Sequence, residues 1–352
     1  THAPVVELSE RLAALTGNTL GHCFYASDGS SAVEIALKMS FHTWRNQGQP
    51  AKNRFLCLAG SYHGETLGTL SVGDVALYKD AYAPLLRQAE TVPSPDARQA
   101  KPGETAADVA RRAAAGLESH LAEHHQSIAA LIVEPLVQGA GGMVMYDPEY
   151  LRLARMLCDR YQVHLIGDEI MVGFGRTGTL FAHEQAAIRP DFLCLSKGLT
   201  GGYLPLSVVL TTEPVYATFY DDAVMRGFLH SHSYTGNPLA CRAALATLDI
   251  FAEDAVLERN RRFAERFTAL LQPLANHPQA RHFRHTGMIW AVDIATADPD
   301  FRLRFYREAL NREVLLRPLG TTIYFMPPYI LNDDEAALLA ERARAALMAA
   351  LV

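Results

Sequence analysis

Four stretches of this 352-residue sequence carry residue types that could do chemistry. One is the acidic pair Asp168-Glu169, which closes the apolar run Val163-His-Leu-Ile-Gly. In open α/β sheets ligands bind outside the carboxyl ends of the strands, so a carboxylate there faces a binding crevice. A second is Lys197, which follows the apolar run Phe192-Leu-Cys-Leu-Ser and precedes Gly198 and Gly201-Gly202. A lysine so placed is either a solvated turn residue or a nucleophile whose pKa, ordinarily about 10.4, is lowered by desolvation. The third is Ser27-Asp28-Gly29-Ser30-Ser31-Ala32-Val33-Glu34. Here an apolar segment ends and an amphipathic helix begins, with Ser31-x-x-Glu34 reading as a capping box. Free N–H groups and the helix dipole at such a terminus suit a phosphate, although capping alone would account for the pattern. Together, a lysine that can bond a carbonyl, a carboxylate for a ring nitrogen and an anion cradle are the three grips that pyridoxal phosphate needs. The fourth stretch, Gly173-Phe-Gly175-Arg-Thr-Gly178, matches a dinucleotide fingerprint letter by letter. It fails in context, because Asp168-Glu169 separates it from the strand and no apolar helix follows, so it reads as a structured turn.

These residues need elements to hold them. Short apolar runs alternate with amphipathic stretches of helical length, the pattern of an α/β fold with a largely parallel sheet. Strands are predicted at Cys23–Ala26, Arg54–Ala59, Ala130–Val133, Val163–Gly167, Phe192–Leu195 and Ser207–Thr211. Helices are predicted at Val5–Leu15, Ala32–Trp44, Ala106–His125, Pro148–Tyr161 and Pro238–Phe251. Ser94–Glu104, rich in Pro, Ser, Asp and Gly, reads as a surface loop. Asp254–Leu274 reads as a helix, followed by strands at Met288–Asp293, Val314–Pro318 and Thr322–Met326 and a last helix from Asp333. This divides the chain into a large domain over 1–252 and a smaller α+β domain over 253–352. The chain opens on Thr-His-Ala-Pro and enters a helical pattern at once, so a further segment upstream is expected, with no signal peptide in the part seen.

Composition narrows the function. Thirty-two Lys and Arg against 38 Asp and Glu leave a net charge of −6, which argues against a nucleic-acid partner. No apolar run approaches the roughly 20 residues of a membrane-spanning helix. Five scattered cysteines, an odd number without C-x-x-C spacing, exclude a disulfide framework and a cysteine zinc site and point to a reducing cytoplasm. His63, His124, His125, His230 and His232 lack the spacing of a metal site and read as surface or loop residues, so no metal is expected.

Leu131-Ile-Val-Glu134-Pro135, Gln138-Gly139, Leu165-Ile-Gly-Asp168-Glu169, Gly173-Phe-Gly175-Arg176-Thr177-Gly178, Asp191 and Ser196-Lys197-Gly198 together resemble the signature of class III (ω-type) aminotransferases. The resemblance implies a fold-type I pyridoxal-phosphate transferase, usually a homodimer. Tyr62-His63-Gly64-Glu65-Thr66, Val137-Gln-Gly-Ala-Gly-Gly-Met143, Gly236-Asn237-Pro238, Leu316-Arg317-Pro318 and Tyr324-Phe-Met-Pro327-Pro328-Tyr329 are similar to the members acting in biotin synthesis. That implies S-adenosylmethionine as amino donor and 8-amino-7-oxononanoate as acceptor. A general ω-amino-acid or diamine:pyruvate aminotransferase is the alternative.

Carried over position by position, the resemblance makes Lys197 the covalent anchor of pyridoxal 5′-phosphate and the carrier of the substrate proton. Asp168 would hold the ring nitrogen protonated, and Tyr62 would stack on the ring. Gly29 and Ser30 would bind the phosphate, and Ser233 would reach a phosphate across a dimer interface. Arg317 would clamp the remote carboxylate of the oxo acid, and Glu134 would stand one step back from the ligand. Read alone, Tyr62 is a core aromatic, Arg317 a surface ion-pair partner and Met326-Pro-Pro-Tyr329 a rigid turn.

Overall fold

The computed structural model describes residues 1–351. The six predicted apolar runs of the large domain, with one further strand, form one sheet of seven strands. In spatial order these are His22–Ala26, Ser207–Thr211, Phe192–Leu195, His164–Asp168, Ile128–Val133, Arg54–Leu58 and Glu90–Val92. Every neighbouring pair is parallel except the two that Ser207–Thr211 makes. Ile128–Val133 and His164–Asp168 lie mid-sheet with all residues buried, because helices cover both faces of a sheet built by crossover connections. That is why they read as continuous apolar runs without alternation. On one face Gly29–Asn46 packs Val33, Ala36 and Leu37 against Ala130, Ile166 and Cys194. On the other, Ala106–His124 and Glu149–Tyr161 pack Leu117, Leu121, Leu151 and Ala154 against Leu131, Val133 and Leu165.

Farther along, a three-stranded antiparallel sheet orders Ala280–Thr286, Ile289–Ile294 and Thr322–Phe325. Helices Val256–Ala275, Phe301–Asn311 and Asp333–Ala350 cover it around a core of its own, with Trp290, Phe267, Phe305 and Phe325 at its centre. The first strand of this sheet, Ala-Arg-His-Phe-Arg-His-Thr, escapes sequence reading because no residue in it is fully buried. Glu90–Val92 escapes it because three residues on a sheet edge carry no period.

Three expectations need correction. The long helix at residue 29 is not capped by Ser31 with Glu34. Its cap is Asp28, whose Oδ1 accepts from the Ser31 N–H at 2.9 Å, and Ser31 already lies inside the helix. Glu34 instead accepts from the Gly68 N–H at 2.8 Å and from Thr66 Oγ1 at 2.7 Å, holding the segment after Tyr62. Ser94–Glu104 is only partly a surface loop, because Asp96 is buried and Arg98 joins it to Asp293 of the small sheet. Val314–Pro318 is not a strand but an irregular segment; a single bridge from Leu319 to Thr322 forms just after it. No helix among the described residues is long and apolar enough to cross a membrane.

Candidate active site

The carboxyl ends of the central strands and the start of the helix Gly29–Asn46 converge on a cavity of about 360 Å³. Seven of the eight positions singled out above line it: Gly29, Ser30, Tyr62, Glu134, Asp168, Lys197 and Arg317. Ser233 does not. It is exposed on a loop whose His232 Nε2 accepts from the Ser27 N–H at 3.1 Å, two residues before Gly29.

Asp168 is the last residue of its strand and only 5% exposed. Its Oδ2 accepts from His63 Nδ1 at 2.7 Å and its Oδ1 from the Ile170 N–H at 3.1 Å. A carboxylate can only accept here, so the pair sets the histidine tautomer with the proton on Nδ1. His63 is therefore not a surface residue. It is buried in the cavity wall, and its Nε2 is buried without a hydrogen-bond partner. The Tyr-His-Gly motif contained the signal; only the fold shows that the ring turns inward.

Tyr62 is half-buried, with its N–H donating to Glu134 Oε1 and its hydroxyl to Glu65 Oε1, both at 2.9 Å. Burial, with Glu65 beside it, pushes the phenol well above its ordinary pKa, so it is neutral and its ring stays apolar. Glu134 is buried, and its other oxygen accepts from the Gly139 N–H at 2.9 Å. Burial raises its pKa to about 7, and among the described residues no Lys or Arg pairs with it. This one carboxylate ties the turn carrying Tyr62 to the glycine-rich turn after Gln138. Glu169 points away from the cavity and holds the Ala182 and His183 N–H groups and His183 Nδ1. Arg176, in the glycine-rich turn, lies 4.5 Å from the Tyr329 ring, and the Tyr329 hydroxyl donates to Phe174 O. The Met-Pro-Pro-Tyr segment thus braces that turn from outside the cavity.

Lys197 has φ +41°, a left-handed conformation that a lysine adopts only at a cost of order 1–3 kcal/mol. Such strain persists where the fold over-determines it, here between Ser196, bonded to Leu206 O at 2.8 Å, and the turn at Gly201. The side chain is exposed on the cavity wall. Arg317 is likewise exposed on the wall.

These residues fit a flat, phosphate-bearing heterocycle. Two glycines leave the space: a Cβ at Gly29 would stand 2.9 Å from the Ile170 side chain, and one at Gly64 would strike Ser30 Oγ. At the first turn of the helix, the N–H groups of Gly29 and Ser30 lack intrahelical partners, as such groups do, and carry the positive end of the dipole. Asp168 can meet a ring nitrogen, and Lys197 a carbonyl. Elsewhere, Glu90, His120 and His124 bring potential metal ligands within 4.8 Å of one another, yet Glu90 already pairs with Arg54 and His120.

A family model described as aminotransferase class-III matches residues 1–347. The chain is 46% identical over 342 residues to the adenosylmethionine-8-amino-7-oxononanoate aminotransferase of Helicobacter pylori, covering 95% of itself and 76% of that protein. Among solved structures it is similar to an amine transaminase from an uncultivated Pseudomonas species in its PLP-bound form, with TM-score 0.93 and 33% identity over 99% of this chain and 81% of that one. It is also similar to the adenosylmethionine-8-amino-7-oxononanoate aminotransferase of Methanocaldococcus jannaschii, with TM-score 0.90 and 30% identity over 99% and 80% of the two chains.

Proposed function

Because the chain belongs to the class-III aminotransferases, we propose that it transfers the amino group of S-adenosylmethionine to 8-amino-7-oxononanoate, giving 7,8-diaminononanoate, with pyridoxal 5′-phosphate as cofactor. The observation that carries this reading is the convergence of Lys197, Asp168, Tyr62, Gly29, Ser30 and Arg317 on one cavity. When bound, the cofactor supplies a carbonyl that links to amines and a ring that accepts electrons from the neighbouring carbon.

The chain's own residues do the rest. Gly29 and Ser30 hold the phosphate with N–H groups and a hydroxyl. Tyr62 covers one face of the ring, its backbone fixed by Glu134. Asp168 would accept a hydrogen bond from the protonated ring nitrogen, and His63 keeps its carboxylate aimed. Lys197 Nζ would anchor the cofactor through its carbonyl and would move the proton at the substrate carbon. Arg317 meets the acid's carboxylate with a planar fork that lysine could not reproduce.

A second copy of the chain completes the site in this reading. Tyr203, Tyr220, Met225 and Tyr234 are between 71% and 87% exposed, and exposed apolar groups of this size suit an interface. Ser233, next to Tyr234 in the chain, would then lie at that interface, where in this reading it reaches the partner's phosphate. The five cysteines, all free, suit a reducing compartment such as the cytoplasm.

Visible absorbance tests the proposal. The cofactor-loaded protein is expected to bleach with S-adenosylmethionine alone and to recover its band with 8-amino-7-oxononanoate, while Lys197→Ala shows no turnover. A band indifferent to S-adenosylmethionine but bleached by simple amines refutes this substrate pair. It would favour the general ω-amino-acid or diamine:pyruvate aminotransferase reading, which the similarity to an amine transaminase at TM-score 0.93 supports. Near-normal turnover by Lys197→Ala overturns both readings.

A further inference from the structure

A second, larger cavity of about 660 Å³ adjoins the one that holds Lys197. The two share Tyr78, Ala140, Leu319 and Arg317, so Arg317 stands at their boundary. The second wall also carries Arg98 and Arg302. Arg98 is spent on Asp96, at 2.8 Å, and Asp293, at 3.2 Å. The carboxylate of this wall, Asp74, is engaged too, accepting from the Gly60 N–H at 2.9 Å with Lys79 Nζ at 3.9 Å. Arg302 lies in the first turn of Phe301–Asn311, and the nearby Asp298 is taken by Arg304 and the Asp300 N–H. Arg302 and Arg317 are thus two exposed guanidinium groups with no carboxylate partner among the described residues, both facing one compartment.

Two unpaired guanidinium groups on one wall call for an anion. Size points the same way: the second cavity, about 660 Å³, continues the first past Arg317 and lies within the roughly 300 to 1,000 Å³ of ligand pockets. From these observations we infer that the second cavity is the distal compartment of the substrate site, in which Arg302 joins Arg317 in binding the terminal carboxylate of a long, unbranched amino or oxo acid. This rests on the aminotransferase reading of the first cavity. Arg302 then discriminates by chain length: an acid that reaches it gains a charge-assisted contact, and a shorter one does not.

The test uses the holoenzyme and Arg302→Ala. KM for 8-amino-7-oxononanoate is expected to rise about tenfold, the scale of one charge-assisted hydrogen bond, with kcat within about twofold. Arg302→Lys should recover part of the loss. The spectral response to S-adenosylmethionine should match wild type, because its carboxylate adjoins the reacting amine. In parallel, straight-chain carboxylates from pentanoate to nonanoate are tested as inhibitors with any amino donor the enzyme accepts. Arg302→Ala is expected to weaken the long members and spare the short ones. Unchanged KM, or equal weakening of short and long carboxylates, overturns the inference. If wild type ignores 8-amino-7-oxononanoate yet shows the Arg302-dependent length effect, the proposed substrate pair fails and the compartment stands.

Discussion

Replacing His63 by Phe keeps most of the ring volume but removes the donor to Asp168. The structure sets the scale of the loss. The His63 side chain is fully buried and that of Asp168 is 6% exposed, with 2.7 Å between Nδ1 and Oδ2. A hydrogen bond to a charged group contributes about 1.5–3 kcal/mol, and stranding the buried acceptor puts the loss at the upper end of that range. His63→Phe should therefore destabilise the cofactor-free protein by about 2–3 kcal/mol. His63→Ala should cost more, because a cavity is added to the same lost bond. Equilibrium urea unfolding reads both, and a double-mutant cycle with Asp168→Asn isolates the pair, with an expected coupling of about 1–3 kcal/mol. Each variant should also bind pyridoxal 5′-phosphate more weakly, since Asp168 loses its aim. If His63→Phe unfolds at the wild-type urea midpoint, or if the coupling falls below about 0.5 kcal/mol, His63 does not hold Asp168 and the argument for the site's order fails.

Two further perturbations test the scaffold. Gly64 has φ +124°, and a Cβ there would strike Ser30 Oγ and approach Ser30 Cβ to 3.0 Å, so Gly64→Ala should cost about 2–4 kcal/mol and lower the melting temperature, with an unchanged melt refuting the steric argument. His164 is buried, stacked on Trp44 at 4.3 Å and bonded to Ser40, and burial holds its pKa down to about 4. Between pH 4 and its unfolded value near 6.5 the unfolded chain binds more protons, so stability falls as pH falls through that window, by up to about 3 kcal/mol below it. His164→Gln should flatten this acid limb in unfolding measured from pH 7 to pH 4; a limb of undiminished slope would assign it elsewhere.

Much of the framework was legible without coordinates. Ile128–Val133 and Phe192–Leu195 read as buried strands because a doubly covered sheet tolerates nothing but apolar residues along its centre. The positions of Asp168 and Lys197 followed, because each terminates such a run. The strand at Ala280–Thr286 did not, since its charged residues look like loop and its pairing with Ile289–Ile294 is a matter of contact rather than composition. The cap at Asp28 was misread for a related reason: Ser31 with Glu34 fits a local rule, and only the fold shows Glu34 bound to Gly68 and Thr66 instead.

The sequence by itself determined the alternation of strands and helices, the residue types at the strand ends and the glycines that leave room beside them, because these follow from period, burial and backbone conformation, all local properties. Tertiary structure alone decided that His63 turns inward to Asp168, that Glu134 ties two turns together, and that Arg302 and Arg317 share a wall while Arg98 is spent on Asp96 and Asp293. Which charges are paired and which are left free depends on residues far apart in the chain brought within hydrogen-bond reach. Spacing along the chain carries no record of that distance.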